Sequence, residues 1–417
     1  MLLSTELFDV AVVGAGPAGS MAAIRAGQLE KKVVLIERND SIGRKILITG
    51  KGRCNITNAA SVDEFIEKFG RSGQFLRSAF YAFFNEDLMD FFKSRGLGMK
   101  TERQGRVFPE TDKAISVIKI LEKSLAESKV KVAYNCRLAD IKKEAGGFLL
   151  ELQGGCFLRA KRVILATGGA SYKLTGSSGD GFRIAKSLGH SFTALKPGLV
   201  PLKTKEPWFK EIQGLTLKNI RITFECGRKN IISEIGELLF THFGVSGPLV
   251  LDLSNEIVEF LWEHKEAALF IDLKPGLTVE QLDKRILREI QTHGAIGIKS
   301  LLKELLPVNL VPIVVKLLNL NSVKKINQLA QSERHAIVNL LKALRLTVNG
   351  FLPLEEAMVT CGGISTKEIN PRTMESRIAQ GLYFAGELID AAASSGGYNL
   401  QQAFSTGYLA GESAAND

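Results

Sequence analysis

Phe8-Asp-Val-Ala-Val-Val-Gly-Ala-Gly-Pro-Ala-Gly19 reads as a buried strand, a tight turn and the first turn of a helix. The strand, Leu7 to Val13, is a short apolar run too rich in β-branched residues for a good helix. Gly14, Gly16 and Gly19 give the G-x-G-x-x-G spacing of a dinucleotide-binding turn. Gly14 permits the sharp turn, Gly16 lets backbone approach a pyrophosphate, and Gly19 lets the helix pack on the strand. Pro17 suits a first helical position, which needs no N–H, and Ala18 follows it. The free amides of that helix would then face phosphates.

A glycine turn before any helix can imitate this spacing, so its surroundings decide. A second apolar strand, Lys32 to Ile36, follows the helix and ends at Glu37. Glu37 lies 23 positions after Gly14, close to the roughly 20 expected of the acid that takes an adenosine ribose. An acid there favours a free 2′-hydroxyl, hence FAD or NAD over NADP, with Arg38 beside it. Only one such unit is visible. Either a nicotinamide donor, NADH or NADPH, would bind transiently, or the substrate itself would reduce the bound cofactor and oxygen reoxidise it.

The chain has 417 residues and 45% hydrophobic content, enough for two or three domains with ample core. No stretch of about 18 apolar residues occurs, which argues against a membrane span. Residues 1 to 13 read as a strand rather than a signal peptide, because no basic n-region precedes them. The five cysteines are widely separated and form no C-x-x-C. That argues against a disulfide framework and a zinc site, and a cytoplasmic protein is the expectation. Net charge is +10. Between Glu280 and Arg345 eleven Lys/Arg face five Asp/Glu, so +6 sits in one segment. Such a face attracts phosphates; a solvated basic helical surface is the plain alternative.

Gly43-Arg-Lys-Ile-Leu-Ile-Thr-Gly-Lys-Gly-Arg-Cys-Asn-Ile-Thr-Asn58 reads as a loop able to fold over a dinucleotide. Arg44, Lys45 and Arg53 would lie near phosphates, with Gly52, Cys54 and Asn55 in the wrapping. This stretch resembles the G-R-K-x-L-x-T-G-G-G-R-C-N-x-T-N pattern of the BaiN/RdsA-type FAD-dependent oxidoreductases, also called aminoacetone-oxidase-like flavoproteins. Lys51 stands where that pattern has glycine. Ala170 to Gly181 is similar to a second family block, with Lys173 in place of proline. Glu237 to Pro248, containing His242, is similar to a third. Ala379 to Asp390 with Ser395 to Phe404 resembles the late FAD motif, with Ala393 where glycine is frequent.

The resemblance implies FAD along the following positions. Leu138 would meet adenine by backbone. Ala166, Thr167 and Gly168 would approach FAD by backbone. Gly386, Glu387 and Asp390 would reach the ribitol hydroxyls. Gly397, Tyr398, Asn399 and Leu400, opening the last helix, would aim a positive dipole at the flavin. It further implies either hydride passing from NAD(P)H through FAD to a C=C bond, of ribosomal RNA uridine or of an enone, or oxidation of a small amine such as aminoacetone, with FAD reduced by the amine and reoxidised by oxygen. Saturating uracil needs a proton donor, and Cys54, His242 and Tyr398 are the candidates. Cys54 also reads as a small residue of the wrapping loop, and His242 as a histidine satisfying loop carbonyls. Arg106, in Gly105-Arg-Val-Phe-Pro-Glu110, is a substrate-side candidate on a turn. A non-catalytic FAD-containing RNA- or protein-binding module is the reading from another class.

The expected fold is α/β, a discontinuous Rossmann-like FAD-binding domain with an inserted β domain and a small helical domain. The boundaries read as 1–190 for the first part, 191–274 for the β domain, and 275–345 for the basic helical domain. Residues 346–417 would return to the first domain, the last β-domain strand falling near 346–360. The partners expected are a small-molecule substrate or ribosomal RNA, the latter through 280–345.

Overall fold

Val10, Ala11 and Val12 are wholly buried and Val13 is 4% exposed, each large side chain stabilising the core by about 1.5–3 kcal/mol. They lie on strand Leu3–Val13, near the middle of a seven-stranded sheet. The computed structural model describes residues 3–416; residues 1 and 2 of the expected first strand lie outside them. Beside that strand runs Val33–Ile36, parallel, then Lys131–Ala133. On its other side runs Cys156–Leu165, also parallel. The first half of that strand pairs with an antiparallel hairpin, Leu138–Glu144 and Gly147–Leu152. Its second half takes Leu382–Phe384, parallel.

The chain divides into two units, residues 1–198 with 354–417, and residues 199–353. In the first, helix Pro17–Gln28 packs against the last helix, Tyr398–Asn416. A Cβ at Gly407 would stand 2.2 Å from Ala18 O, and one at Gly411 2.3 Å from Ala22 O. Only glycine lets these backbones meet so closely. Phe80, Phe83 and Leu88 are buried in the core of this unit.

In the second unit six antiparallel strands close a ring, since Thr216–Cys226 pairs with both Gly236–Phe240 and Ala267–Asp272. Helices Val279–His293, Ile298–Leu305, Val311–Leu317 and Gln331–Lys342 follow. Their buried Leu282, Ile286, Leu301, Leu305, Ile337 and Leu341 share one core with Ile222, Phe224, Leu269 and Ile271 of the sheet.

Several expectations are corrected here. Residues 275–345 have no core of their own and belong with the sheet, and the unit boundaries fall at 198/199 and 353/354. Strand Leu344–Phe351 pairs with Leu202–Thr204 and Ala267–Asp272, so the last strand of the second unit starts at 344, two residues before the expected stretch 346–360. The 16-residue helix Pro248–Glu263 lies within the stretch read as all β. Residues 43–58 are not all loop. Arg44–Ile48 is a short helix anchored by buried Ile46, and Thr57–Asn58 pairs with Arg106–Pro109, a strand rather than a turn. Lys51 adopts φ 58°, the left-handed region that explains why glycine suits this position.

A buried histidine ties the return segment to the first unit. His190 Nδ1 lies 3.1 Å from Glu368 Oε2, and Nε2 lies 2.9 Å from Ser376 Oγ. Ser376 Oγ also accepts from the Ile378 and Ala379 N–H groups. Its proton therefore goes to Nε2, and Nδ1–H donates to the carboxylate. Burial pushes the imidazole below its ordinary 6.5, against the pull of Glu368. A base depressed on folding gives stability that is present above pH 6.5 and lost as pH falls through the folded value. The melting temperature of the wild type should thus drop more between pH 8 and pH 5.5 than that of His190→Gln. Parallel curves would show that the ring does not titrate in folding.

Candidate functional site

The strand ends Val13, Ile36 and Ala166 open on one cleft in the first unit, enclosing about 1320 Å³ of space that includes open solvent. Ligands of open parallel sheets bind at the carboxyl ends of the strands. Gly14, Gly16, Pro17, Ala18, Glu37, Arg38, Arg44, Lys45, Leu138, Ala166, Thr167, Gly168, Gly386, Glu387, Asn399 and Leu400 all stand on its wall.

The glycine turn is locked to both neighbouring strands. Gly14 N–H donates to Ile36 O at 2.8 Å, and Ala166 N–H donates to Val13 O at 2.9 Å. Gly14 has φ 98°, and a Cβ there would lie 2.5 Å from Ala166 O. Gly19 lies behind the wall, where a Cβ would meet Gly14 O at 1.8 Å. Gly16 differs from both: a Cβ there meets nothing within 4 Å, because it would enter the cleft.

At one end of the cleft, buried Glu37 receives Ala15 N–H at 2.8 Å on Oε2, and Asn39 N–H and Nδ2 at 2.8 and 2.7 Å on Oε1. Arg38 donates to Ser178 Oγ, and Arg137 donates twice to Asp180, at 2.7 and 2.8 Å. The Arg137 hydrogen bond holds the Asp180 carboxyl below the usual range, against desolvation. Ser178, Asp180, Asn39 and Arg137 line the cleft but carried no role in the sequence reading. The block Ala170 to Gly181 was the available signal for the first two; nothing local marked Arg137.

At the other end, Lys45 Nζ donates to Glu387 Oε2 and to Ser171 Oγ, both at 2.7 Å. Glu387 Oε1 receives the Thr360 N–H at 2.7 Å and the Ser171 hydroxyl at 3.1 Å. Burial works against the charge on Glu387, but Lys45 and these donors outweigh it and hold the carboxyl below its usual range. Asn399 ties the turn before the last helix, its Oδ1 accepting Ala393 N–H and its Nδ2 donating to Ala393 O, both at 2.9 Å. Met358 and Val359 supply apolar wall at positions without a sequence signal.

The remaining sequence candidates stand elsewhere. Gly52, Arg53, Cys54, Asn55, Asp390, Gly397 and Tyr398 are off the cleft wall. Arg53, expected at phosphates, pairs instead with Glu102 and Asp112, each at 2.5 Å, and covers Phe108. Cys54 is wholly buried, and burial pushes its thiol up to about 12 against a hydrogen bond with Thr49. That makes it a packed small residue of the turn rather than a proton donor. The Asp390 carboxyl is half-buried, and burial raises it above the usual range. A Cβ at Gly397 would meet Thr57 O at 2.2 Å, a close-packing role. Tyr398 is buried edge-on to Phe65 at 4.7 Å and lines a separate groove with Asn58, Glu64, Glu67 and Lys68. His242 belongs to the second unit, exposed before strand Gly244–Ser246 and against Phe243. Arg106 begins a strand and donates to Arg103 O.

The cleft passes one test for a dinucleotide cofactor. Gly16 leaves a cradle that a side chain would fill. Thr167 Oγ1 is buried toward Gly181, with no hydrogen-bond partner among the described residues.

The sheet, glycine turn and cleft define a Rossmann-type dinucleotide-binding protein. More particularly, residues 8–413 match the family model of the HI0933-like protein Rossmann domain, and the chain belongs to that family of FAD-dependent oxidoreductases. It is 34% identical over 408 residues to the 3-dehydro-bile acid delta(4,6)-reductase of Clostridium scindens, covering 97% of this chain and 98% of that one. It is 32% identical over 412 residues to the ribosomal RNA dihydrouridine synthase of Escherichia coli, covering 97% of each. Among solved structures it resembles 3-ketosteroid-delta4-(5alpha)-dehydrogenase from Rhodococcus jostii, with TM-score 0.53 and 16% identity. That likeness covers 99% of this chain and 98% of the other, and concerns the fold alone. Among the described residues no helix is long and apolar enough to cross a membrane.

Proposed function

We propose that the protein reduces a C=C bond conjugated to a carbonyl, with NAD(P)H as electron donor and uridine in ribosomal RNA as substrate. The observation that carries the reaction type is the end-to-end likeness to two relatives whose names both describe saturation of a C=C bond. The basic segment 280–345 favours RNA over a steroid.

Bound FAD supplies the hydride chemistry. The turn Gly14–Gly19 and the first amides of helix Pro17–Gln28 would hold its pyrophosphate, and Glu37 its ribose. Asn399 and Leu400 at the start of the last helix would turn the positive end of its dipole toward the bound flavin, favouring its reduced form. Reduction of uridine consumes one hydride and one proton, so NAD(P)H and H⁺ are exchanged for NAD(P)⁺ and dihydrouridine.

The test is anaerobic titration of FAD-loaded protein with NADH and NADPH, followed at the visible flavin band. In vitro transcribed 23S ribosomal RNA is then added. Bleaching by a nicotinamide, then return of colour with dihydrouridine in the RNA, is the expected result. Return of colour only with a 3-keto-Δ4 steroid moves the substrate to the enone class. Bleaching by aminoacetone alone, with peroxide once air enters, makes the protein an oxidase and overturns the reading.

A further inference from the structure

The eleven cations between Glu280 and Arg345 are not equivalent once folded. Four hold acids: Lys316 with Glu211, Lys324 with Glu333, Arg334 with Asp283, and Lys342 with Asp272. The other seven make no ion pair among the described residues, against three unpaired acids in the segment, a surplus of four positive charges.

Six of the seven are exposed, and five of these lie on the consecutive helices Val279–His293 and Ile298–Leu305 or at the turn that joins them. On helix Val279–His293, Leu282 and Ile286 are buried. Lys284 and Arg288 stand two residues beyond each, about 200° round the helix, and face solvent. On helix Ile298–Leu305, Ile298, Leu301, Leu302 and Leu305 are buried, while Lys299 and Lys303, one turn apart, are exposed. Lys325 bridges to Gly297 at the turn joining the two helices. The neighbouring backbone bonds Ile298 N–H to Lys324 O and Ile326 N–H to Ile296 O, both 3.0 Å, fix that junction. Lys325 and Lys299 therefore sit at one corner.

We propose that this face, formed by Lys284, Arg288, Lys299, Lys303 and Lys325, binds the phosphate backbone of structured RNA. The proposal rests on the RNA reading of the substrate given above. Its chemistry is that of flexible, solvated cations on rigid helices, which position a polyanion without reading its sequence. An anionic membrane needs the same charge but also a free apolar face. Here the apolar faces of both helices are consumed by the unit's own core.

The experiment compares three variants of the FAD-loaded full chain. Lys284→Gln/Arg288→Gln/Lys299→Gln removes three cations from the face. Lys284→Arg/Arg288→Lys/Lys299→Arg keeps the charge. Lys119→Gln/Lys142→Gln/Lys143→Gln removes three exposed cations from the other unit. Binding to 23S ribosomal RNA transcript is measured from 0.05 to 0.3 M salt. The face variant should lose about 2 from the slope of log K against log salt, and roughly a hundredfold in affinity at 0.1 M. The charge-keeping and control variants should keep the wild-type slope, and flavin bleaching by NAD(P)H should be the same in all. Equal losses in face and control variants would mean net charge alone acts, and would overturn the proposal. So would unchanged RNA binding by the face variant, including the case in which it loses binding only to phosphatidylserine vesicles. If the wild type neither binds the transcript nor makes dihydrouridine, the RNA reading itself falls. If it makes dihydrouridine and the face variant binds normally, only the face is wrong.

Discussion

Gly16→Val will fold, and it will purify without its yellow cofactor. Gly16 caps helix Pro17–Gln28 with φ −74° and ψ −172°, a backbone any residue adopts. Its Cβ direction is empty for 4 Å, so the apoprotein pays nothing for the side chain. The added isopropyl group instead occupies the space against which a pyrophosphate must lie. Overpacking of that kind costs about 1–3 kcal/mol, and a ligand held by backbone amides cannot retreat from it. The upper end corresponds to a loss of FAD affinity of roughly a hundredfold. The neighbouring glycines give the opposite outcome. Gly19→Ala drives a methyl to 1.8 Å from Gly14 O, and Gly14→Ala combines φ 98° with 2.5 Å to Ala166 O. These two should lower the melting temperature of the apoprotein itself, whereas Gly16→Val should leave it unchanged. Equilibrium FAD titration beside apoprotein melting separates the cases. Full affinity in Gly16→Val would put the phosphates elsewhere.

The contrast among these glycines also marks how far the sequence could be read. Gly14, Gly16, Gly19 and Glu37 are legible because strand, turn, helix and strand follow one another within about thirty residues at spacings set by backbone geometry. Arg53 was misplaced because its partners Glu102 and Asp112 are 49 and 59 residues away, and nothing local announces them. The Lys45–Glu387 pair spans 342 residues and is equally silent. Helix Pro248–Glu263 is another kind of miss. Its buried Val250, Ser254, Ile257 and Val258 fall at helical spacing, and Pro248 stands in the first turn. The signal was present, but β-rich runs on either side hid it. The helical segment 275–345 read correctly as helix, yet periodicity reports only that a face is buried, not which element covers it.

Lys45→Met should be the most damaging change in the cleft that leaves the glycine turn intact. Each side chain of the Lys45–Glu387 pair is 21% exposed. Removing one partner of a largely buried pair costs about 3 kcal/mol, mostly because the other charge is left uncompensated. In the wild type the Glu387 carboxyl is held below its ordinary 4.5. It therefore contributes stability that is present above pH 4.5 and lost as pH falls through the lower folded value. Without Lys45, burial governs the carboxyl and drives its affinity for protons up, so the sign inverts. Lys45→Met should gain stability as the pH is lowered through that raised value toward 4.5, where the wild type gains nothing. The double variant Lys45→Met/Glu387→Gln removes both charges and should recover most of the loss, a coupling of about 2 kcal/mol. With FAD bound, the two single changes should move the flavin midpoint potential in opposite directions. Glu387→Gln leaves a bare cation, which favours the more negative reduced form and raises the potential. Lys45→Met leaves a bare anion and lowers it. A tenfold change in the reduced-to-oxidised balance is about 30 mV for a two-electron couple. Shifts of the same sign, or none, would show that the pair only braces the cleft wall.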